Sequence, residues 1–186
     1  MAAMKGDPAE AARAVLAFWF DEVGRERWWI KDAELDAAIA ARFGALREAV
    51  VASRATGWRD DPETLLAAII LCDQFSRNLH RGSRKAFETD ALARELTKLG
   101  LERGWDAEMR PERRQFLLMP LQHSENLADQ ERSLTEFAAL GDNEQARFAQ
   151  LHHDQIARFG RFPGRNAALG RRTSEAEQAV IEEGVF

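Results

Sequence analysis

Apolar positions recur at the helical period along nearly all of this sequence, and no alternating run is long enough to suggest a strand. Asp7-Pro8-Ala9-Glu10 reads as a helix start: a capping Asp, proline at the first helical position and Glu in the first turn. Ala12, Val15 and Trp19 follow in register with Glu22, and Gly24 breaks the helix. Asp32 caps a second helix, whose stripe of Leu35, Ile39, Phe43, Leu46 and Val50 lasts to about Ser53. Asp61-Pro62-Glu63-Thr64 repeats the start signal for a third, predicted over 62–79. Ser83 is predicted to cap a fourth, carrying Phe87, Leu92, Leu96 and Leu99. Pro111 opens a fifth, and Pro120 is expected to kink or end it, leaving 120–125 as a short irregular or single-turn step. A sixth covers about 127–140 with Leu127, Leu134, Phe137 and Ala138 inward. Asp142 caps a seventh, closed by Gly160, and Ser174-Glu-Ala-Glu177 is a capping box for a short last helix. The prediction is an all-α single domain over residues 1–186, with seven or eight helices in antiparallel pairs.

Two helices carry polar groups where the pattern points inward. The third is apolar almost all round, as a central helix is. Asp73, Arg77 and His80 lie in the same sector as Leu66, Ile69 and Ile70, so they are predicted to face protein. A charge in that position needs a partner, and Asp73 and Arg77 can pair at i, i+4. In the seventh helix Phe148, His152, Ile156 and Phe159 share a face. His153 lies about 100° away and Asp154 about 200° away, so His152 is the inward histidine. After it, Phe162-Pro163 forces an extended step and Gly164 is expected to take an unusual backbone angle.

Composition narrows the function classes. With 186 residues, 45% of them hydrophobic, the chain can bury a sizeable core. A formal charge of −5 argues against a general nucleic-acid binder or a partner of anionic membrane. No run approaches the roughly 18–20 apolar residues of a membrane span, and residues 1–7 lack the apolar centre of a signal peptide. The single cysteine, Cys72, sits in an apolar run and reads as a reduced core thiol; a cytoplasmic protein is expected. Five Trp and eleven Phe with no Tyr suggest a core of large rings, and the Trp28-Trp29 pair is expected to belong to it.

The candidate chemistry falls in three segments at helix ends or interruptions: Asp73, Arg77, His80 and Arg81; His123 and Glu125; His152, Arg161, Arg165 and Asn166. Arg77, Arg81, Arg161 and Arg165 could clamp a carboxylate or phosphate, with His80 and Asn166 adding donors. The plain alternative is that the arginines neutralise Asp73, Glu125 and their neighbours or cap helix carbonyls. His123 or His152 beside Glu125 has the composition for general acid–base work, against the commoner buried structural histidine. His153-Asp154 resembles the metal dyad of HD-type phosphohydrolases, but no Asp follows Asp154, and neither His123-Ser-Glu125 nor His152-His153-Asp154 has zinc spacing. No metal or cofactor is expected, and no Walker loop or nucleophile elbow is present.

Four blocks taken together carry a resemblance: Val15-Leu-Ala-Phe-Trp-Phe20, Asp73-Gln-Phe-Ser-Arg-Asn-Leu-His-Arg-Gly82, Met119-Pro-Leu-Gln-His-Ser-Glu125 and Arg158-Phe-Gly-Arg-Phe-Pro-Gly-Arg-Asn166. In this order they resemble the DUF924 family of uncharacterised bacterial proteins, over nearly the whole chain. The resemblance implies a tetratricopeptide-like superhelical bundle and no established activity or cofactor. It includes one departure, since a histidine commonly precedes the Arg-Asn of the last block where this chain has Gly164. Two functions are compatible with these residues: a polar Arg/His pocket for a small anionic ligand, with catalysis open, or a tetratricopeptide-like module for a protein or peptide, in which the Arg/His cluster is structural.

Overall fold

A computed structural model describes residues 7–184, so the N-terminal signal-peptide reading falls mostly, and the tail at Phe186 wholly, outside the described residues. The described chain is all-helical, with no strand. Counting 62–79 as one rod, it has nine helices, slightly more than the pattern predicted. Its internal contacts divide it into two units, residues up to 81 with 85–109, and 82–84 with residues from 110 on.

In the first unit, α1 (Pro8–Ala17) runs into a π-helical stretch, Phe18–Val23. Next come α2 (Ala33–Ala52), α3 (Pro62–Ile70), a second π-helical stretch, Leu71–Phe75, and α4 (Ser76–Leu79). α5 (Asp90–Glu102) completes the set; α1 packs on α3, α3 on α5, and α2 on α4. The caps form as the sequence indicates. Asp32 accepts from the N–H groups of Glu34 and Leu35, and Asp61 from those of Glu63 and Thr64. Ser83 does not cap α5: a 3-10 turn, Arg84–Ala86, intervenes and α5 begins after Thr89. Trp28 is buried and its Nε1 donates to the Trp19 carbonyl at 2.9 Å, whereas Trp29 is 49% exposed, contrary to the expectation that the pair is core.

The π turns shape the interior of this unit. Each inserts an extra residue per turn and releases backbone carbonyls from the regular ladder. In the second stretch, side chains take those carbonyls: Thr89 Oγ1 donates to Cys72 at 2.6 Å, Ser76 Oγ to Leu71 at 3.3 Å, and Arg77 Nη1 to Asp73 at 2.8 Å.

The second unit holds α6 (Pro111–Gln122), α7 (Leu127–Ala138), α8 (Asn143–Phe159), α9 (Asn166–Leu169) and α10 (Glu175–Glu182). α7 packs against both α6 and α8. α6 continues through Pro120 to Gln122, so residues 120–122 are helical and not an irregular step. A proline there removes the bond to one carbonyl, within a turn of the helix end. α7 also differs from its predicted face. Leu127 is 44% exposed, and the buried side is Asp129, Gln130, Ser133 and Phe137. Gln130 accounts for the rotation: its Nε2 donates to the carbonyls of Gln122 and Ser124, both at 2.7 Å, and so caps the end of α6. Gly160 closes α8 with φ +68°. Gly164 takes no such angle; it lies in the 3-10 turn Pro163–Arg165, and the left-handed positions flanking it are Gly160 and Gly170.

Candidate functional site

The ten candidate residues fall into two groups, one in each unit. In the first unit, Asp73 is 1% exposed. It accepts from Gln74 Nε2 at 2.6 Å and from Arg77 Nη1 at 2.9 Å, the i, i+4 pair that the spacing predicts. Arg77 also donates to Asp90 at 3.1 Å. Burial lowers the Arg77 value, but Asp73 and Asp90 outweigh it and the guanidinium is held more firmly protonated than usual. Arg81 forms a two-point pair with Asp36, at 2.6 and 2.9 Å, and Asn78 adds a third bond to the same carboxylate at 2.7 Å. Burial alone would raise Asp36; Arg81 and Asn78 reverse that and hold it below the usual carboxylate range. His80 lies just past α4, its amide bonded to the Ser76 carbonyl at 3.1 Å, and burial followed by the Arg47 charge lowers its pKa.

Arg47 is a further polar residue of this unit, one that sequence reasoning misses. It is 5% exposed and donates through Nε to Ser76 Oγ at 3.1 Å and through Nη1 to Glu48 at 2.7 Å. Ser76 Oγ and Thr89 Oγ1 lie 2.9 Å apart. Arg47 therefore ties α2 to the hydroxyls that satisfy the second π turn. It shares the apolar stripe of α2, where an arginine gives no sign of a partner 29 residues away.

The second unit gathers the rest around Phe162. Glu125 Oε1 accepts from the Phe162 N–H at 2.9 Å, and Arg171 bonds both carboxylate oxygens at 2.8 Å. Burial alone would raise Glu125; the Arg171 bonds, the Phe162 N–H and the Arg165 charge together hold it low. Arg165 Nη2 donates to the His123 carbonyl at 2.8 Å, and its guanidinium lies over the Phe162 ring, 4.6 Å from the centroid. The other face of this cluster is His152, whose ring meets Phe162 edge-on at 5.4 Å and His123 at 6.0 Å. His152 Nδ1 is 2.8 Å from the Phe148 carbonyl, so Nδ1 carries the proton and Nε2 is the acceptor of the neutral ring. His153 instead pairs with exposed Asp154 at 3.1 Å. His123, His152 and Arg165 are all half-buried.

Arg161 and Asn166 belong to the neighbouring C-terminal turn. Arg161 bonds both oxygens of buried Glu177, at 2.7 and 3.0 Å, and the Arg172 carbonyl at 2.9 Å. The Arg161 bond and then the Ser174 N–H pull Glu177 down to about 2. Asn166 is fully buried and donates to Thr173 Oγ1 at 3.3 Å. Arg171, which sequence reading missed, follows Gly170 in a loop with no periodic signal. Across Arg161, Arg165, Arg171, Glu125 and Glu177, guanidinium groups outnumber carboxylates by one.

Among the described residues, no cluster of three or more His, Cys, Asp and Glu side chains is placed to hold a metal ion. No described helix is long and apolar enough to cross a membrane. A cavity of about 300 Å³ lies in the first unit, lined by Phe18, Glu22, Leu35 and Arg42 among others and by none of the ten candidates.

A family model described as a bacterial protein of unknown function, DUF924, matches residues 15–185. A solved structure described as a protein of unknown function, ATU0120 from Agrobacterium tumefaciens, is 34% identical, with a TM-score of 0.90 over 95% of this chain and 99% of that one. No curated protein matches the chain.

Proposed function

The chain belongs to the DUF924 family, and from that premise we propose that its second unit binds a small anionic molecule at His123, His152 and Arg165. The observation that carries this reading is the 6.0 Å approach of two half-buried imidazoles beside a guanidinium oriented by Phe162 and the His123 carbonyl. Carboxylate and phosphate oxygens accept from a guanidinium, and from His152 through Nε2 only when the ring is the imidazolium, because its Nδ1–H is taken by the Phe148 carbonyl; partial burial strengthens such bonds. Glu125 does not oppose an anion as a bare carboxylate would, because Arg171 and the Phe162 N–H already engage it. Arg161 and Asn166 support the turn that carries Arg165. Asp73, Arg77, His80 and Arg81 are left to the scaffold of the first unit, where the first two and Arg81 have carboxylate or guanidinium partners.

Calorimetric titration with inorganic phosphate and with short mono- and dicarboxylates tests the reading. Arg165→Ala should weaken binding by about tenfold or more, equivalent to roughly 1.4 kcal/mol, while melting within a few degrees of wild type. No binding of any of these anions to wild type would refute it. One observation favours a second reading, a tetratricopeptide-like module that docks a protein or peptide: Trp29 and Ile30 are adjacent and 49% and 53% exposed. Under the first reading, the Trp29→Ser, Ile30→Ser double variant leaves the anion titration unchanged.

A further inference from the structure

The interior of the second unit contains a set of polar atoms whose bonding is incomplete. Gln130 and Ser133 are fully buried and Gln122 is 3% exposed. Gln122 Nε2, Gln130 Oε1 and Ser133 Oγ are each buried without a hydrogen-bond partner among the described residues. Turning the Gln130 amide over cannot relieve this. Its Nε2 faces the carbonyls of Leu121, Gln122 and Ser124, at 3.4, 2.7 and 2.7 Å, where an oxygen would be repelled. Its Oε1 must therefore accept from something else.

The three residues sit at the contact of α6 with α7. The Gln130 amide sits on the Gln122 carbonyl, and Ser133 is one turn further along the same face of α7. They present an amide donor, an amide acceptor and a hydroxyl. Leaving any of them unsatisfied would be destabilising, and buried polar groups in folded proteins are rarely left so. The α7–α8 pair turns about Leu140-Gly141, which puts Gln130 level with the Leu151-His152 end of α8. His123 follows Gln122 directly. The three residues thus belong to the same unit as the two imidazoles of the proposed anion site.

We infer that Gln122, Gln130 and Ser133 form a binding site for one hydroxyl group, which donates to Gln130 Oε1 and accepts from Gln122 Nε2 and the Ser133 hydroxyl. A buried water has this chemistry, and so does the hydroxyl of a small hydroxylated carboxylate. The ligand source rests on the anion-site reading; the water source does not.

The test uses the full chain. Ser133→Ala gives opposite signs for a filled and an unfilled site. Deleting a hydroxyl bonded to a bound group lowers the melting temperature, by about 2–4 °C in a chain of this size. Deleting an unpaired hydroxyl raises it. Oxygen-17 magnetic relaxation dispersion then counts long-lived waters in wild type and in Gln122→Met, with a drop of one expected for the water source. Glycolate and acetate distinguish the ligand source: glycolate should bind about tenfold tighter to wild type, with the preference lost in Ser133→Ala. A lower melting temperature with the water signal alone assigns the site to solvent. The same fall with the glycolate preference assigns it to ligand. A raised melting temperature in Ser133→Ala, with an unchanged water count and equal binding of the two acids, overturns the inference. If no anion binds at all while the water arm succeeds, only the anion-site reading fails.

Discussion

The Glu125–Arg171 pair gives the sharpest energetic expectation, because it crosses 46 residues of sequence and anchors the Phe162 turn. Glu125 accepts two guanidinium bonds at 2.8 Å and the Phe162 N–H at 2.9 Å. Its side chain is 22% exposed and that of Arg171 30%. The pair lies between two limits. Exposed ion pairs contribute about 0–1 kcal/mol, and breaking a buried one costs about 3–5 kcal/mol. Partial exposure screens the interaction, so Arg171→Met is expected to cost about 2 kcal/mol, a fall of roughly 4–8 °C in melting temperature. Glu125→Gln should cost a similar amount, and the double variant little more than either. The double-mutant cycle, from guanidinium denaturation followed by circular dichroism, should then return a coupling of about 1–2 kcal/mol. The pH dependence fixes the origin of that coupling. Glu125 is held below its unfolded value of about 4.3, so its stabilisation is complete above about pH 5 and fades as the pH falls through the lowered folded value. A coupling below about 0.3 kcal/mol at neutral pH, or one unchanged at acid pH, would refute the reasoning.

Five further outcomes are expected from the same structure. Asp73→Asn leaves Arg77 with Asp90 as its remaining carboxylate partner and should cost about 3 kcal/mol, read as a shift in the denaturation midpoint. Cys72 is buried, and burial pushes its thiol up to about 12, so thiol reagents should label the native protein negligibly and the unfolded protein fully. Gly164→His should change stability by less than about 0.5 kcal/mol, because the backbone angle is ordinary and a Cβ there meets nothing within 4 Å. Ser174→Ala removes a complete capping box and should cost about 1 kcal/mol. Glu177 sits at about 2 when folded, so the melting temperatures of wild type and Glu177→Gln should converge as the pH falls from about 5 towards that value.

The local grammar of the chain was legible. Asp7, Asp32, Asp61, Asp142 and Ser174 all cap where the sequence indicates, because the bond from side chain to backbone N–H lies within three residues. The inward turn of Asp73 was legible from the period of the third helix. What escaped the reading depends on partners distant in sequence. Arg47 fills an apolar position because Ser76 and Thr89 wait across the unit, and those hydroxyls matter because of a π turn that no residue pattern announces. The face of α7 was misassigned for a related reason. Gln130 is buried by its bonds to the end of α6, so a polar residue, not Leu127, sets the inward direction. Within the candidate site, the histidines and Arg165 were legible as types, but Arg171, the partner that neutralises Glu125, sits in a loop where spacing carries no information.

The aromatic cluster of the first unit has a practical consequence. Trp19 and Trp28 stack at 6.3 Å, Trp58 is fully buried, and Trp29 and Trp105 belong to the same unit. The second unit has no tryptophan, and the chain has no tyrosine at all. Intrinsic fluorescence therefore sees one unit alone, while the dichroism of the peptide bonds sees both. Unfolding curves that coincide in the two signals mean that the units melt as one. Curves that separate give the stability of each unit in the intact chain, without cutting it or adding a label.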